Sequence, residues 1–273
     1  ESLGYATCPD GNAAGSTGVG PHAMNKLEGR RMSVAETYLT EEVRLRSNLL
    51  IRANTTAWDL VWDATEPTRC VGVCVDGGQG PEDILGDEVL LALGAINTPG
   101  LLLRSGVGPR AQLDALGVPM RVENNHVNER LLDHPGFAMF LRRRWGSQGD
   151  VKDTLIQTMC RVGSDTPGIT NDVVMQPGSK WVFPRVDLPG FSLMAMIGKP
   201  KGVGKLEFVS TNPSIAPVIK SALLEHEEDR KLAVRTLERL YEIAEQPAAD
   251  SIAAPLYPRR GVLKDADKIE GMI

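Results

Sequence analysis

The sequence predicts a mixed α/β fold: a strand–turn–helix unit of the nucleotide-binding kind, then an antiparallel sheet and a long amphipathic helix. Three observations carry this expectation. The apolar run Val89-Leu-Leu-Ala-Leu93 reads as a buried parallel strand and ends in the small pair Gly94-Ala95 ahead of Thr98-Pro99. After residue 135 the texture changes to short apolar stretches separated by Gly, Pro and Ser. Across 229–246, Ala233, Leu237, Leu240 and Ala244 recur on one helical stripe.

Taken in chain order, the first 25 residues are rich in Gly, Ala, Ser and Thr and read as loop. The run Gly11-Asn-Ala-Ala-Gly-Ser-Thr-Gly-Val-Gly20 has neither a Walker lysine nor a GxGxxG between strand and helix. Ser33 with Glu36 forms a capping-box pattern, so a helix is expected from there. Strands are expected at 48–53, 57–62 and 70–75, with a turn at Asp76-Gly77-Gly78, and the fourth strand at 88–93. The stretch 57–78 is then a small β excursion within a first domain, 1–135. Thr98-Pro99 predicts a hydroxyl N-cap with proline at the first helical position, and Gly106 and Gly108 close that short helix. Strand segments at 137–141, 172–175, 191–197 and 205–209 define a sheet domain, 136–228. The remainder, 229–273, is the amphipathic helix and a proline-rich tail without a closing element.

Composition narrows the class. The 273 residues are 42% hydrophobic and 24% charged, as in ordinary globular proteins, and the net charge of −5 argues against nucleic acid or an anionic membrane as partner. No apolar run approaches the roughly 20 residues of a membrane span. The start Glu1-Ser-Leu-Gly-Tyr5 has no signal-peptide pattern and no Met, which reads as a trimmed terminus. Four cysteines, Cys8, Cys70, Cys74 and Cys160, are too few for a disulfide scaffold. Cys70 and Cys74 would share one face of a strand, but no second Cys/His cluster accompanies them, so buried thiols are expected and no metal site. A reducing, cytoplasmic setting fits.

The stretch Gly94-Ala-Ile-Asn-Thr-Pro-Gly-Leu-Leu-Leu-Arg-Ser-Gly-Val-Gly108 resembles the second signature of the glucose–methanol–choline (GMC) family of FAD-dependent oxidoreductases. The resemblance covers most of the chain. Gly29-Arg-Arg-Met-Ser-Val-Ala-Glu-Thr-Tyr-Leu39 is similar to the family's stretch into its Ser-x-Ala-x-x-x-Leu helix, and Asn48-Leu-Leu-Ile51 to its Asn-Leu strand. Leu131-Leu-Asp-His-Pro135 resembles its Leu-x-Asp-His-Pro element near the flavin. Gly204-Lys-Leu-Glu-Phe-Val-Ser-Thr-Asn-Pro213 with Pro217 resembles its substrate-domain strand and turn. The resemblance implies a partial Rossmann-like FAD-binding domain with an antiparallel substrate-domain sheet. It implies cofactor neighbours at Ala57 (through its backbone), Gly94, Ala95 and His134.

The departures are large. The family's opening strand, GxGxxG and helix, its first signature, and the C-terminal catalytic His with His or Asn have no counterpart here. Asn125-His-Val-Asn128 stands where Pro-Gly-Val-Gly is usual, and Arg130 where Asn is usual. The chain reads as an internal fragment.

The resemblance implies oxidation of a CH–OH donor, a small-molecule alcohol, by hydride transfer to flavin N5, with a histidine suited as base. Two alternatives stay open: a non-catalytic partial chain that needs another segment, and a hydroxynitrile lyase-like flavoprotein. No residue is assigned as catalytic. Among His22, His126, His134 and His226, His134 is the candidate, and a positioning role near the flavin is favoured for it over proton transfer. Ser105 has no G-x-S-x-G elbow around it and is not read as a nucleophile. The run Arg142-Arg-Arg-Trp145 is read as a solvated strand edge.

Overall fold

The computed structural model describes residues 2–147, 149–164, 168–183 and 185–261. The chain divides into two compact units. One is built from 1–24, 133–202 and 223–273, the other from 25–132 and 203–222. Both are discontinuous in sequence, unlike the sequential division 1–135, 136–228 and 229–273. Strand pairing is non-local and gathers stretches that texture alone keeps apart.

The first unit holds a six-stranded antiparallel sheet in the order Gly18–Pro21, Thr158–Val162, Val173–Gly178, Phe191–Ile197, Gly136–Arg143, Ala253–Tyr257. Alternate positions of its strands bury one apolar face, with Met139, Val173 and Ile197 all fully buried. The helix Glu227–Ala244 covers that face through Leu237, Leu240 and Tyr241, so the expected stripe is the buried one. Burial of this seam is the main stabilising contribution in the unit, at about 25 cal/mol per Å² of apolar area.

Three expectations are corrected here. The opening is not all loop, because Gly18–Pro21 forms the outer strand of the sheet. Gly20 is required there: a Cβ would stand 1.6 Å from the Cys8 carbonyl oxygen of the segment alongside. The tail does have a closing element, Ala253–Tyr257. That strand covers Gly136–Arg143, which is therefore interior, so Arg142 lies opposite Ala254 and not on a sheet edge, although its side chain, like those of Arg144 and Trp145, is exposed. Arg144 turns instead to the carboxylate and carbonyl of Asp250. The tail beyond 261 lies outside the described residues.

The second unit centres on a three-stranded antiparallel sheet, Thr56–Trp62, Cys70–Asp76 and Pro81–Leu85. The turn after the second strand is tied by Asp76, whose carboxylate accepts the Gly78 N–H at 2.6 Å. Helices Gly94–Arg104 and Arg110–Leu116 follow, and Leu103, Leu113 and Val127 form their core. The segment 205–209, expected in the large sheet, falls in this unit. Lys205–Glu207 pairs with Val218–Lys220 in a separate hairpin, anchored where the Leu206 N–H donates to the Asn128 carbonyl at 2.9 Å.

Two expected strands are absent. Residues 48–53 and 88–93 have no strand geometry. A strand exists only by pairing with a neighbour, and neither run has one among the described residues; Leu50 and Leu90 are 82% and 83% exposed. The Ser33 helix is a single turn, Val34–Thr37, followed by a second, Glu41–Arg44. No helix among the described residues is long and apolar enough to cross a membrane. No group of three or more His, Cys, Asp or Glu among them is placed to hold a metal ion. All four cysteines are free thiols.

Candidate functional site

The helix Gly94–Arg104 begins five residues earlier than the Thr98-Pro99 pattern predicts, at Gly94 rather than Pro99. Gly94 makes that possible. Its φ of 85° lies in the left-handed region, where the chain can turn sharply into the helix without a Cβ clash. Thr98 and Pro99 then fall within the second turn, and no side chain caps the helix start. The first backbone N–H groups, from Gly94 to Asn97, are the unpaired donors of any helix N-terminus and carry its positive end. Gly94 and Ala95 are both exposed, and a Cβ on Gly94 would meet nothing within 4 Å.

Beside this helix start lies a cleft of about 380 Å³, walled by Thr56, Ala57, Leu93, Ile96, Asn97 and Arg104 on one side. Its far wall comes from Phe208 and the turn around Asn212. A second recess of about 330 Å³ also touches Ala57 and Leu93, with Val75 and Leu101 behind them. Ala57 is thus flanked by open space on the strand Thr56–Trp62, while its carbonyl accepts from Arg104 Nη2 at 3.2 Å. Arg104 Nε donates to the Trp58 carbonyl at 2.8 Å. Burial holds this guanidinium below its ordinary pKa, opposed by Asp59 nearby.

Ala57, Gly94 and Ala95 are therefore brought to one unit, with Ala57 lining the cleft and Gly94 and Ala95 exposed at the helix start between its lining residues Leu93 and Ile96. His134 belongs to the other unit. It is exposed, its backbone N–H donates to Asp133 Oδ1 at 2.8 Å, and the next residue, Pro135, is buried with its carbonyl accepting the Ile197 N–H at 3.0 Å. Two of the other histidines meet backbone with their rings: His22 Nδ1 lies 2.9 Å from the Ala23 carbonyl, and His226 Nδ1 accepts from the Glu228 N–H at 3.2 Å. The His126 backbone N–H donates to Asn124 Oδ1 at 3.0 Å. Ser105 is buried at 3% exposure with both hydroxyl roles used, as acceptor from Leu60 and donor to Leu101, which leaves no activated nucleophile. Sequence reasoning missed Arg104 and the contribution of Phe208 and Asn212. Arg104 at i+4 from Gly100 was the available signal for the first, whereas the second needs a contact more than a hundred residues away.

The lining fits the adenosine end of a dinucleotide in kind: apolar Leu93 and Ile96 for a flat base, Thr56, Asn97 and Asn212 for hydroxyl and amide contacts, and an uncapped helix start for negative charge.

The family model for GMC oxidoreductase matches residues 1–136. Pyridoxine 4-oxidase of Microbacterium luteolum is 27% identical over 256 residues, covering 90% of this chain and 49% of that protein. An uncharacterized GMC-type oxidoreductase of Rhodococcus erythropolis is 32% identical over 233 residues, 83% of this chain and 44% of that one. The crystal structure of pyridoxine 4-oxidase from Mesorbium loti superimposes with a TM-score of 0.85 at 25% identity, covering 100% of this chain and 54% of its own. Formate oxidase superimposes at 0.83 with 18% identity and shares the fold. The chain spans about half the length of the curated relatives it matches. By the family match, by these relatives and by the α+β architecture that superimposes on theirs, the chain belongs to the GMC oxidoreductase family.

Proposed function

We propose that the protein is an FAD-dependent oxidoreductase that oxidises the CH–OH group of a small alcohol. The observation that carries this reading is the superposition of the entire chain on pyridoxine 4-oxidase, together with the family match over 1–136. Bound flavin would supply the hydride acceptor. The contribution of this chain is to bind and orient. The unit holding 25–132 carries the cofactor side, with Ala57, Gly94 and Ala95 against the adenosine end, and the six-stranded sheet carries the substrate side. His134 acts as a positioning residue. The free thiols support a reducing, cytoplasmic setting.

The chain by itself is an incomplete site on this reading. It contributes a cleft beside a helix start but no glycine-rich pyrophosphate loop. Incubated with FAD and passed through gel filtration, the 273-residue chain is expected to emerge colourless, and stoichiometric retained flavin would overturn its assignment as a partial site. In a longer protein that carries this sequence together with such a loop, a flavin spectrum and alcohol-dependent dye reduction are expected. Cleavage of a hydroxynitrile without dye reduction would instead place it among lyases.

A further inference from the structure

A cavity of about 340 Å³ opens within the unit that carries the six-stranded sheet. Its floor is made by Gly136, Ala138 and Ala233, and its walls by Leu224, Leu237 and the rings of Phe137 and Phe140. Tyr257 stands at the mouth, half exposed, and its hydroxyl is the one polar side-chain group in the lining. The space persists because the floor residues are small. A Cβ on Gly136 would meet Met196 at 3.4 Å, an ordinary contact, so packing alone does not demand a glycine there.

A second feature points to the same place. Leu224, only 6% exposed, is held at φ 59°, in the left-handed region that leucine rarely adopts. Arg230 Nη1 fixes it there by donating to the Leu224 carbonyl at 3.0 Å and to the Glu225 carbonyl at 2.7 Å. The two bonds from Arg230 hold this wall of the cavity in a conformation leucine rarely adopts.

The lining selects the occupant. A charged molecule finds no counter-ion in it. A water needs two to four polar partners, and the lining side chains offer one. The volume equals roughly ten water-sized shares, enough for a single or fused ring. We propose that this cavity binds a small, uncharged, flat aromatic molecule, held between apolar walls and touching the Tyr257 hydroxyl with its one polar group. The cavity lies in the unit that the proposed function gives the substrate side and apart from the cofactor cleft, and it is tested by direct binding without flavin, so its failure and the failure of the oxidoreductase reading are distinguishable.

The test is saturation-transfer NMR on the 273-residue chain, with indole as probe and benzoate as a charged comparator of similar size. Indole is expected to bind saturably and to show contacts to the Tyr257 ring. Benzoate is expected to bind at least about tenfold more weakly, because its carboxylate would be desolvated without a partner. Ala233→Leu fills the floor and should abolish the indole signal with far-UV circular dichroism unchanged. Val234→Phe, on the half-buried rim, is the second blocking variant should the first not fold. Absence of saturable indole binding, equal binding of benzoate, indole contacts that miss Tyr257, or binding unchanged by the blocking variants would overturn the proposal.

Discussion

Ser105 Oγ lies 3.0 Å from the Leu60 nitrogen, whose N–H it accepts, and 2.8 Å from the Leu101 carbonyl oxygen, to which it donates. One buried hydroxyl thereby joins the end of the helix Gly94–Arg104 to the strand Thr56–Trp62. The strand needs such a partner because its ladder is interrupted. Ala57 pairs with Val75 and Asp59 with Cys74, so Trp58 is an extra, bulged residue. The Trp58 carbonyl, turned out of the ladder, is the group that Arg104 Nε takes at 2.8 Å. Two consecutive residues of the signature thus repair a bulge that sits beside Ala57.

Ser105→Ala removes one of the two acceptors of the Leu60 N–H, the other being Asp59 Oδ1 at 2.8 Å, together with the bond to the Leu101 carbonyl, and should destabilise the chain by about 0.5–1.5 kcal/mol, the net worth of an ordinary hydrogen bond. Urea unfolding measures it. An unchanged midpoint would mean that the hydroxyl does not bridge strand and helix.

Gly94 is predicted to matter through its backbone, not through crowding. A methyl at this position has open space, but φ 85° disfavours any L residue by about 1–2 kcal/mol. Gly94→Ala should lose roughly that amount, and Gly94→Asn, which tolerates the left-handed region, should lose less. Equal stability of all three proteins, read by urea midpoints, would show that the helix start does not require this conformation.

Legibility in the sequence followed the range of the interactions. The stripe of Ala233, Leu237, Leu240 and Ala244 is local, and it is buried as expected. The strands around Ala57 and Cys70 and the Asp76 turn are also local and were read within a residue or two. The expected strands at 48–53 and 88–93 have the right composition, but a strand is a property of a pair, and no neighbour is present among the described residues. Gly18–Pro21 went the other way, looking like loop until Thr158–Val162 is placed beside it. Of the cleft, Ala57 is visible through its place after the Asn48-Leu-Leu-Ile51 stretch, and Gly94 and Ala95 beside it through the family signature. The Phe208 and Asn212 wall was not, because it is brought there from more than a hundred residues away by the hairpin Lys205–Glu207 with Val218–Lys220.

Glu36 gives a pH prediction. Its carboxylate accepts the Ser33 backbone N–H and hydroxyl, each at 2.9 Å, and pairs with Arg30. The Ser33 backbone bond, then the hydroxyl, then Arg30 pull its pKa down from 4.5 to about 2. The folded value is depressed, so its stabilising contribution is present above the unfolded value and fades as pH falls from about 4.5 through about 2. An NMR titration of Glu36 should show that midpoint, and Glu36→Gln should flatten the acid limb of the stability curve in that window. A Glu36 midpoint near 4.5 would refute the capping geometry.

The first turn of Glu227–Ala244 permits a ranking of two substitutions by magnitude. His226 caps the helix with its ring: Nδ1 accepts the Glu228 N–H at 3.2 Å, a neutral and exposed contact. Asp229 is only 3% exposed, and its carboxylate accepts the Lys201 N–H at 2.9 Å and the Gly202 N–H at 2.7 Å. Loss of the cap in His226→Ala should cost about 1 kcal/mol, with His226→Asn close to neutral. Asp229→Ala removes a charged acceptor shared by two backbone donors, and charge-assisted bonds are roughly twice as strong as neutral ones, so its cost should be about 2–3 kcal/mol. The two effects also differ in place. Amide hydrogen exchange should rise at Glu228 in the first variant and at Lys201 and Gly202 in the second. A larger loss from His226→Ala than from Asp229→Ala, or exchange at Gly202 unaffected by Asp229→Ala, would contradict the assignment of the carboxylate as the anchor of that loop.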